Sequence, residues 1–161
     1  MNRREFLKSA LTMAALAPVS RLAAKAGPNG DKASDLKSGL QVTRRRYKNT
    51  GMTVPLLGFG CMRFARISPD NPGIDYPTVR KMIARAMNAG CNYFDTAYMY
   101  HGGESEKCLG ELLKEYPRDS YYLTDKMPVW FAKKESDIER IFKEQLARCK
   151  TGYFDFYMLH S

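Results

Sequence analysis

The sequence predicts an α/β chain built on a parallel sheet: the N-terminal half of a (β/α)8 TIM barrel, carrying a hairpin, about four strands and three helices. Three observations lead there. Strand-like runs alternate with amphipathic helical patterns as β-α-β-α-β-α-β after the hairpin, and such alternation means parallel strands joined by right-handed crossovers. Polar residues close successive strand-like runs at Asp95, Lys126 and His160, with spacings of 126−95 = 31 and 160−126 = 34, about the length of a strand, a helix and two loops. Only Ser161 follows the last run, so four parallel strands with helices only between them would keep two open edges. A layered sheet with helices on both faces tolerates such edges, whereas a half-barrel is poorly suited to stand alone, and the chain is read as half of a longer barrel.

The N-terminus opens with Met1-Asn2-Arg3-Arg4-Glu5-Phe6-Leu7-Lys8, continues through apolar Ala10 to Ala17, and reaches Ala24-Lys25-Ala26 before Gly27. A charged start, an apolar middle and an A-x-A exit describe a cleavable signal over 1–26. The apolar stretch is too short to span a bilayer, and Arg3-Arg4 followed by Phe6-Leu7-Lys8 resembles a twin-arginine export signal. Export to a bacterial periplasm is the expectation; an ordinary amphipathic N-terminal helix is the competing reading. Residues 27–41, with Gly27, Pro28, Gly30 and Ser38, read as a linker, and 42–161 as the half-barrel.

Val42 to Tyr47 and Met52 to Leu56 flank Lys48-Asn49-Thr50-Gly51, a hairpin with a glycine-containing turn. Leu56 to Cys61 reads as a short buried strand, and Arg63 to Gly73 as a loop. Val79, Met82, Ile83, Ala86 and Met87 share one helical face. Asp75 is placed to cap that helix, Pro77 suits its first turn, and Gly90 suits its stop. Cys91 to Asp95 is the second strand. A helix from near Ser105 carries Leu109, Leu112 and Leu113, and Tyr121 to Lys126 is the third strand. Ser136-Asp137-Ile138-Glu139 has the pattern of a capping box opening a helix with Ile138, Ile141, Phe142, Leu146 and Cys149 on its apolar face. Phe154 to Leu159 is the last strand.

Length and composition suit one globular domain: 161 residues, 44% apolar and 12% aromatic. The net charge is +9, and residues 1–26 hold five basic residues against Glu5, so 9−4 = +5 remains without them. That excess is dispersed; its one run, Arg44-Arg45-Arg46, reads as a solvated strand or turn rather than a nucleic-acid patch. Cys61, Cys91, Cys108 and Cys149 form no C-x-x-C pair, so no metal site is expected. An exported chain permits disulfides, but all four lie within or beside apolar patterns and read better as buried thiols.

Taken singly, Asp95 reads as a loop cap, Tyr100 as core, Lys126 as a snorkelling surface residue, and His160 as a satisfied buried histidine. Taken together at one end of a parallel sheet, where α/β folds place chemistry, they form a proton-transfer set. A free phenol is a poor acid near neutrality, with a pKa near ~10. An adjacent ammonium favours the phenolate, a carboxylate keeps that ammonium charged and in place, and an imidazole donates to a carbonyl oxygen. Such a set protonates a developing alkoxide while a nicotinamide delivers hydride to carbon.

At these residues the sequence resembles the aldo-keto reductase family. The matching stretches are Val54 to Gly60, Ala89 to Tyr100 with its Asp95-Thr96-Ala97-x-x-Tyr100 element, Glu104 to Gly110, Leu123 to Lys126, and Phe154 to Ser161. The resemblance implies a (β/α)8 barrel closed below by the hairpin and binding NADP(H), or NAD, without a Rossmann domain. It implies interconversion of a small-molecule carbonyl and its alcohol, with Tyr100 as proton donor. Lys126 and Asp95 would tune that donor's acidity, and His160 would orient the carbonyl. Gly60, Cys61, Met62, Arg63 and Asp95 would lie on the nicotinamide side. Where many relatives have glycine directly after the tyrosine, this chain has His101, expected as a solvated loop residue. The family's phosphate-binding loops belong to the other half of the barrel, so the half alone is expected to turn over little. A non-catalytic ligand- or partner-binding barrel is the alternative reading.

Overall fold

The computed structural model describes residues 41–160. The expected signal at 1–26 and the linker up to residue 40 lie outside the described residues.

Two short strands, β1 (Arg44–Arg46) and β2 (Thr53–Pro55), form an antiparallel hairpin. Its turn places Lys48 and Gly51 at positive φ, 45° and 74°. The second sheet has four strands: β3 (Phe59–Gly60), β4 (Tyr93–Asp95), β5 (Tyr122–Pro128) and β6 (Phe156–His160). All neighbours are parallel, in the order β3-β4-β5-β6. Three helices connect them: α1 (Tyr76–Asn88), α2 (Glu104–Leu112) and α3 (Glu135–Arg148). This strictly sequential order separates a barrel from a doubly wound sheet. Right-handed crossovers that always advance in one direction put every helix on the same face, whereas a doubly wound sheet reverses at a switch point.

Side-chain alternation divides the sheet cleanly. Phe94, Leu123, Asp125 and Met127 are buried, and Tyr157 on the same face meets Phe142 of α3 with ring centroids 4.9 Å apart. On the opposite face, Tyr93, Tyr122 and Phe156 form one aromatic layer, with centroids 5.3 to 6.4 Å apart. Tyr47 of the hairpin adds its edge to Phe156. Tyr122 donates to the Thr53 carbonyl, and Arg44 reaches Asn92, Gly90 and Thr53. The hairpin is thereby fastened to the end of the sheet where β4 and β5 begin, leaving Asp95 one layer and Lys126 two layers beyond the Tyr93–Tyr122 pair.

Local chemistry explains the helix ends. Asp75 Oδ1 accepts from the Thr78 amide at 3.1 Å, as an N-cap does. Gly90, at φ 81°, closes α1 with its amide on the Met87 carbonyl. The opening of α3 differs from expectation. The helix begins at Glu135, and Asp137 Oδ2 accepts from the amides of Lys133 and Lys134. Asp137, not Glu139, is the residue that reaches back, because its carboxylate sits three positions beyond the N-cap residue, Lys134.

A second difference concerns Leu56 to Cys61, expected as a buried strand. Only Phe59–Gly60 pairs, and Leu56 and Leu57 are exposed. The core instead gathers between sheet and helices around Phe94, Val79, Ile83, Leu109, Leu112, Leu113 and Leu123. The four cysteines are buried free thiols.

Candidate active site

The end of the sheet where the strands finish brings the predicted residues together. Asp95 closes β4, opposite Gly60 of β3 and Thr124 of β5 in register. Lys126 lies two residues further along β5 and faces the same side. Its ammonium donates to Asp95 Oδ1 at 2.6 Å, to the Thr96 carbonyl at 2.7 Å and to the Tyr100 hydroxyl at 3.4 Å. Three acceptors match the three protons of an ammonium. The Lys126 side chain is only 12% exposed, so its charge is compensated by fixed partners rather than by bulk water.

Tyr100 gets its position from an unusual turn. After β4 the chain runs through a short 3-10 turn, Tyr100–Gly103, in which His101, Gly102 and Gly103 all have positive φ (52°, 66° and 93°). Left-handed backbone suits glycine. At Gly103 a Cβ would also lie 2.9 Å from Arg148 Nη1, so a side chain there would push the guanidinium aside. Arg148, from the end of α3, bonds buried Glu106 at 2.8 Å and the Tyr98 carbonyl, pairs with Glu144, and stacks on the Tyr98 ring. The turn that presents Tyr100 thus rests on a guanidinium held in a network.

His160 ends β6. Its ring stands edge-on to Tyr100 with centroids 5.9 Å apart. Its Nδ1 is buried and makes no hydrogen bond among the described residues. Burial and then the Lys126 charge push its pKa below the ordinary imidazole value, so the ring is a neutral hydrogen-bonding group near pH 7.

The aldo/keto reductase family model matches residues 56–161. This chain belongs to the aldo/keto reductase family. Among curated relatives, D-galacturonate reductase of Fragaria ananassa is 32% identical over 67% of this chain and 33% of its own length. L-galactose dehydrogenase of Arabidopsis thaliana is 32% identical over 74% and 38%. An aldo-keto reductase from Bacillus halodurans, solved in its holo form, superposes with a TM-score of 0.61 at 29% identity, over 74% of this chain and 40% of that one. One from Klebsiella pneumoniae, solved with NADPH, gives 0.58 at 26% identity, over 68% and 36%. The four parallel strands are accordingly part of a (β/α)8 barrel. The chain spans 31% to 38% of the length of the first curated relatives it matches.

The residues expected on the nicotinamide side divide. Gly60 is exposed, with no heavy atom within 4 Å of where a Cβ would stand, and Met62 and Arg63 are exposed as well. Open backbone next to Asp95, flanked by a long apolar and a basic side chain, fits a planar nicotinamide with its charged tail. Cys61 is different. It is fully buried, its amide is bonded to the Asp95 carbonyl, and its carbonyl accepts from Ser105 Oγ. Its thiol is pushed well above the ordinary value, mainly by burial. Cys61 anchors this loop and offers no surface to a ligand.

Three contributors escaped the sequence reading. The Thr96 carbonyl is backbone and leaves no residue-type signal. Ser105 is buried, hydrogen-bonded to Thr96 Oγ1 and to Cys61, where the sequence showed only a helix start. Trp130, just beyond β5, packs its ring 5.2 Å from His160 and is 41% exposed. A lone tryptophan following a strand end was the available clue.

Proposed function

We propose that this chain carries the proton-transfer centre of an NADP(H)-dependent oxidoreductase that interconverts a small-molecule carbonyl and its alcohol. The observation that carries the reading is the single ammonium of Lys126, shared between Asp95 at 2.6 Å and Tyr100 at 3.4 Å. Bound NADPH supplies a hydride to the carbonyl carbon. The Tyr100 hydroxyl gives its proton to the carbonyl oxygen, completing the alcohol, and the phenolate left behind is stabilised by the Lys126 charge, which Asp95 holds in place. Neutral His160 donates to the carbonyl oxygen and orients it. Trp130 and Phe131, both exposed at this rim, offer an apolar wall for the substrate. Gly60, Met62, Arg63 and Asp95 hold the nicotinamide side; the phosphates are held by the barrel's remaining β/α units, so this chain alone turns over little. NADP(H) is preferred over NAD because several similar solved structures were determined with NADPH or NADP. Residues 1–26 direct export through the twin-arginine route, with the cofactor bound before translocation, and the domain proper is 42–161.

The test is NADPH oxidation with a panel of aldehydes and ketones by the barrel completed with its other β/α units, alongside Tyr100→Phe. Loss of a general acid predicts a fall in kcat of about 10²- to 10⁴-fold with NADPH affinity retained. Undiminished turnover in Tyr100→Phe removes the proton-donor role. NADPH binding without turnover in the wild type makes the barrel a binding module instead.

A further inference from the structure

The residue that sets this chain apart next to Tyr100 is His101, and it is not the solvated loop residue expected from the sequence. Its Nε2 accepts the Phe64 backbone amide at 3.1 Å, across 37 positions of chain, and its ring lies nearly parallel to the Phe64 ring, 21° between planes with centroids 5.9 Å apart. Phe64 is buried and ends the Cys61–Phe64 segment. At the other end of that segment, Ser105 Oγ donates to the Cys61 carbonyl at 3.0 Å. Both clamps therefore come from one stretch, the turn carrying Tyr100 and the first residues of α2. Between them Met62 and Arg63 stay exposed.

We propose that His101 is a positioning residue: as a neutral imidazole protonated on Nδ1, it locks the Cys61–Phe64 loop against the Tyr100 turn and so fixes the nicotinamide-side surface relative to the proton donor. The cofactor half of this statement rests on the function proposed above. The acceptor role requires Nε2 to be free of a proton. Burial, then the charge of Arg66, lowers the His101 pKa, while the Met62 carbonyl raises it in a smaller measure. A left-handed backbone at a non-glycine residue is costly, and here it aims the imidazole at the Phe64 amide. Pinning both ends of a four-residue loop removes freedom that a ligand would otherwise have to freeze on binding.

Two measurements test this. In the present chain, imidazole 15N shifts and amide hydrogen exchange are recorded for wild type, His101→Phe and His101→Gln. The phenylalanine keeps the stacking and loses the acceptor, whereas the glutamine keeps an acceptor oxygen. The expected result is an unprotonated Nε2 in the wild type. Phe64 amide exchange should be about tenfold faster in His101→Phe and within about threefold of wild type in His101→Gln, relative to the Leu123 amide as a reporter of global stability. A protonated Nε2, or unchanged Phe64 exchange in His101→Phe, overturns the lock. In the completed barrel, His101→Phe should raise KM for NADPH about tenfold with kcat within about threefold, and His101→Gln should restore it. Equal KM in all three proteins, or a collapse in kcat alone, overturns the positioning role. If the barrel shows no NADPH-dependent turnover, the proposed function fails, and the exchange data still decide whether the lock exists.

Discussion

Gly110 separates two opposing effects whose sizes the structure decides. Alanine at a helix interior ordinarily stabilises by about 0.5–1 kcal/mol over glycine. Here α2 crosses the end of α3 so closely that a Cβ on Gly110 would lie 2.4 Å from the Arg148 carbonyl oxygen, 2.8 Å from the Cys149 carbonyl carbon and 3.1 Å from its Cα. All three are backbone atoms, so no rotamer change relieves the overlap and the helices must part. Overpacking of that kind costs about 1–3 kcal/mol. Separation also pulls Arg148 from buried Glu106, a 2.8 Å contact; a charge-assisted bond contributes about 1.5–3 kcal/mol when intact, and part of that is lost. The overlap outweighs the propensity gain, and Gly110→Ala should be destabilised by about 2–4 kcal/mol. Urea unfolding followed by circular dichroism should show the midpoint falling by about 1 M or more with an unchanged slope. Gly102→Ala is the matched control. Its Cβ meets nothing within 4 Å, but its φ is 66°, so only left-handed strain of about 1–2 kcal/mol applies. A Gly110→Ala protein as stable as wild type would refute the close helix contact, and with it the support Arg148 gives to the Tyr100 turn.

Two further outcomes follow from the charges. Lys126→Met should lower kcat of the completed barrel by about 10²- to 10³-fold, the equivalent of about 3–4 kcal/mol of lost phenolate stabilisation. Its cost in stability should be smaller, about 1–2 kcal/mol, because the Asp95 side chain is 31% exposed and is partly solvated once unpaired; steady-state kinetics and thermal unfolding read the two separately, and a kcat within threefold of wild type counts against the ammonium's role. Asp125 is buried on the helix side of β5, and its pKa is pushed well above the ordinary carboxylate value by burial first and then by the charge of Glu106. Glu106 Oε1 otherwise lacks a partner, so a proton retained on Asp125 joins the two carboxyl groups. Since the folded value is the raised one, this contribution to stability is complete below the unfolded carboxylate pKa and is lost as pH rises toward the folded value, at about 1.4 kcal/mol per pH unit. Asp125→Asn supplies a donor at every pH, so its stability relative to wild type should climb over that window; parallel curves of Tm against pH refute the shared proton.

Much of this protein could be read before it was folded. The apolar period of Val79, Ile83 and Met87, the cap at Asp75 and the stop at Gly90 are local signals, and α1 formed where they pointed. The spacing of Asp95, Lys126 and His160 reflects the length of a β/α unit, so their shared sheet end followed from topology alone. Boundaries were less legible. Leu56 and Leu57 look like core because they are apolar, but burial depends on what packs above them, and here they are exposed. Cys61, expected on the nicotinamide side, turned inward, since chain position does not reveal which way a side chain faces outside a regular strand.

The sequence by itself determined the order of the elements and which polar residues close the strands at one end of the sheet, because periodicity, capping and strand-end polarity are encoded within windows of a few residues. Only the tertiary structure decided the distances on which chemistry depends. The third partner of the Lys126 ammonium is a backbone carbonyl, and the clamp from His101 to the Phe64 amide spans 37 positions. Neither shows in the residue types of any short window. Both exist because parallel pairing sets β3, β4 and β5 side by side, and a hydrogen bond acts over about 3 Å of space, whatever length of chain lies between its ends.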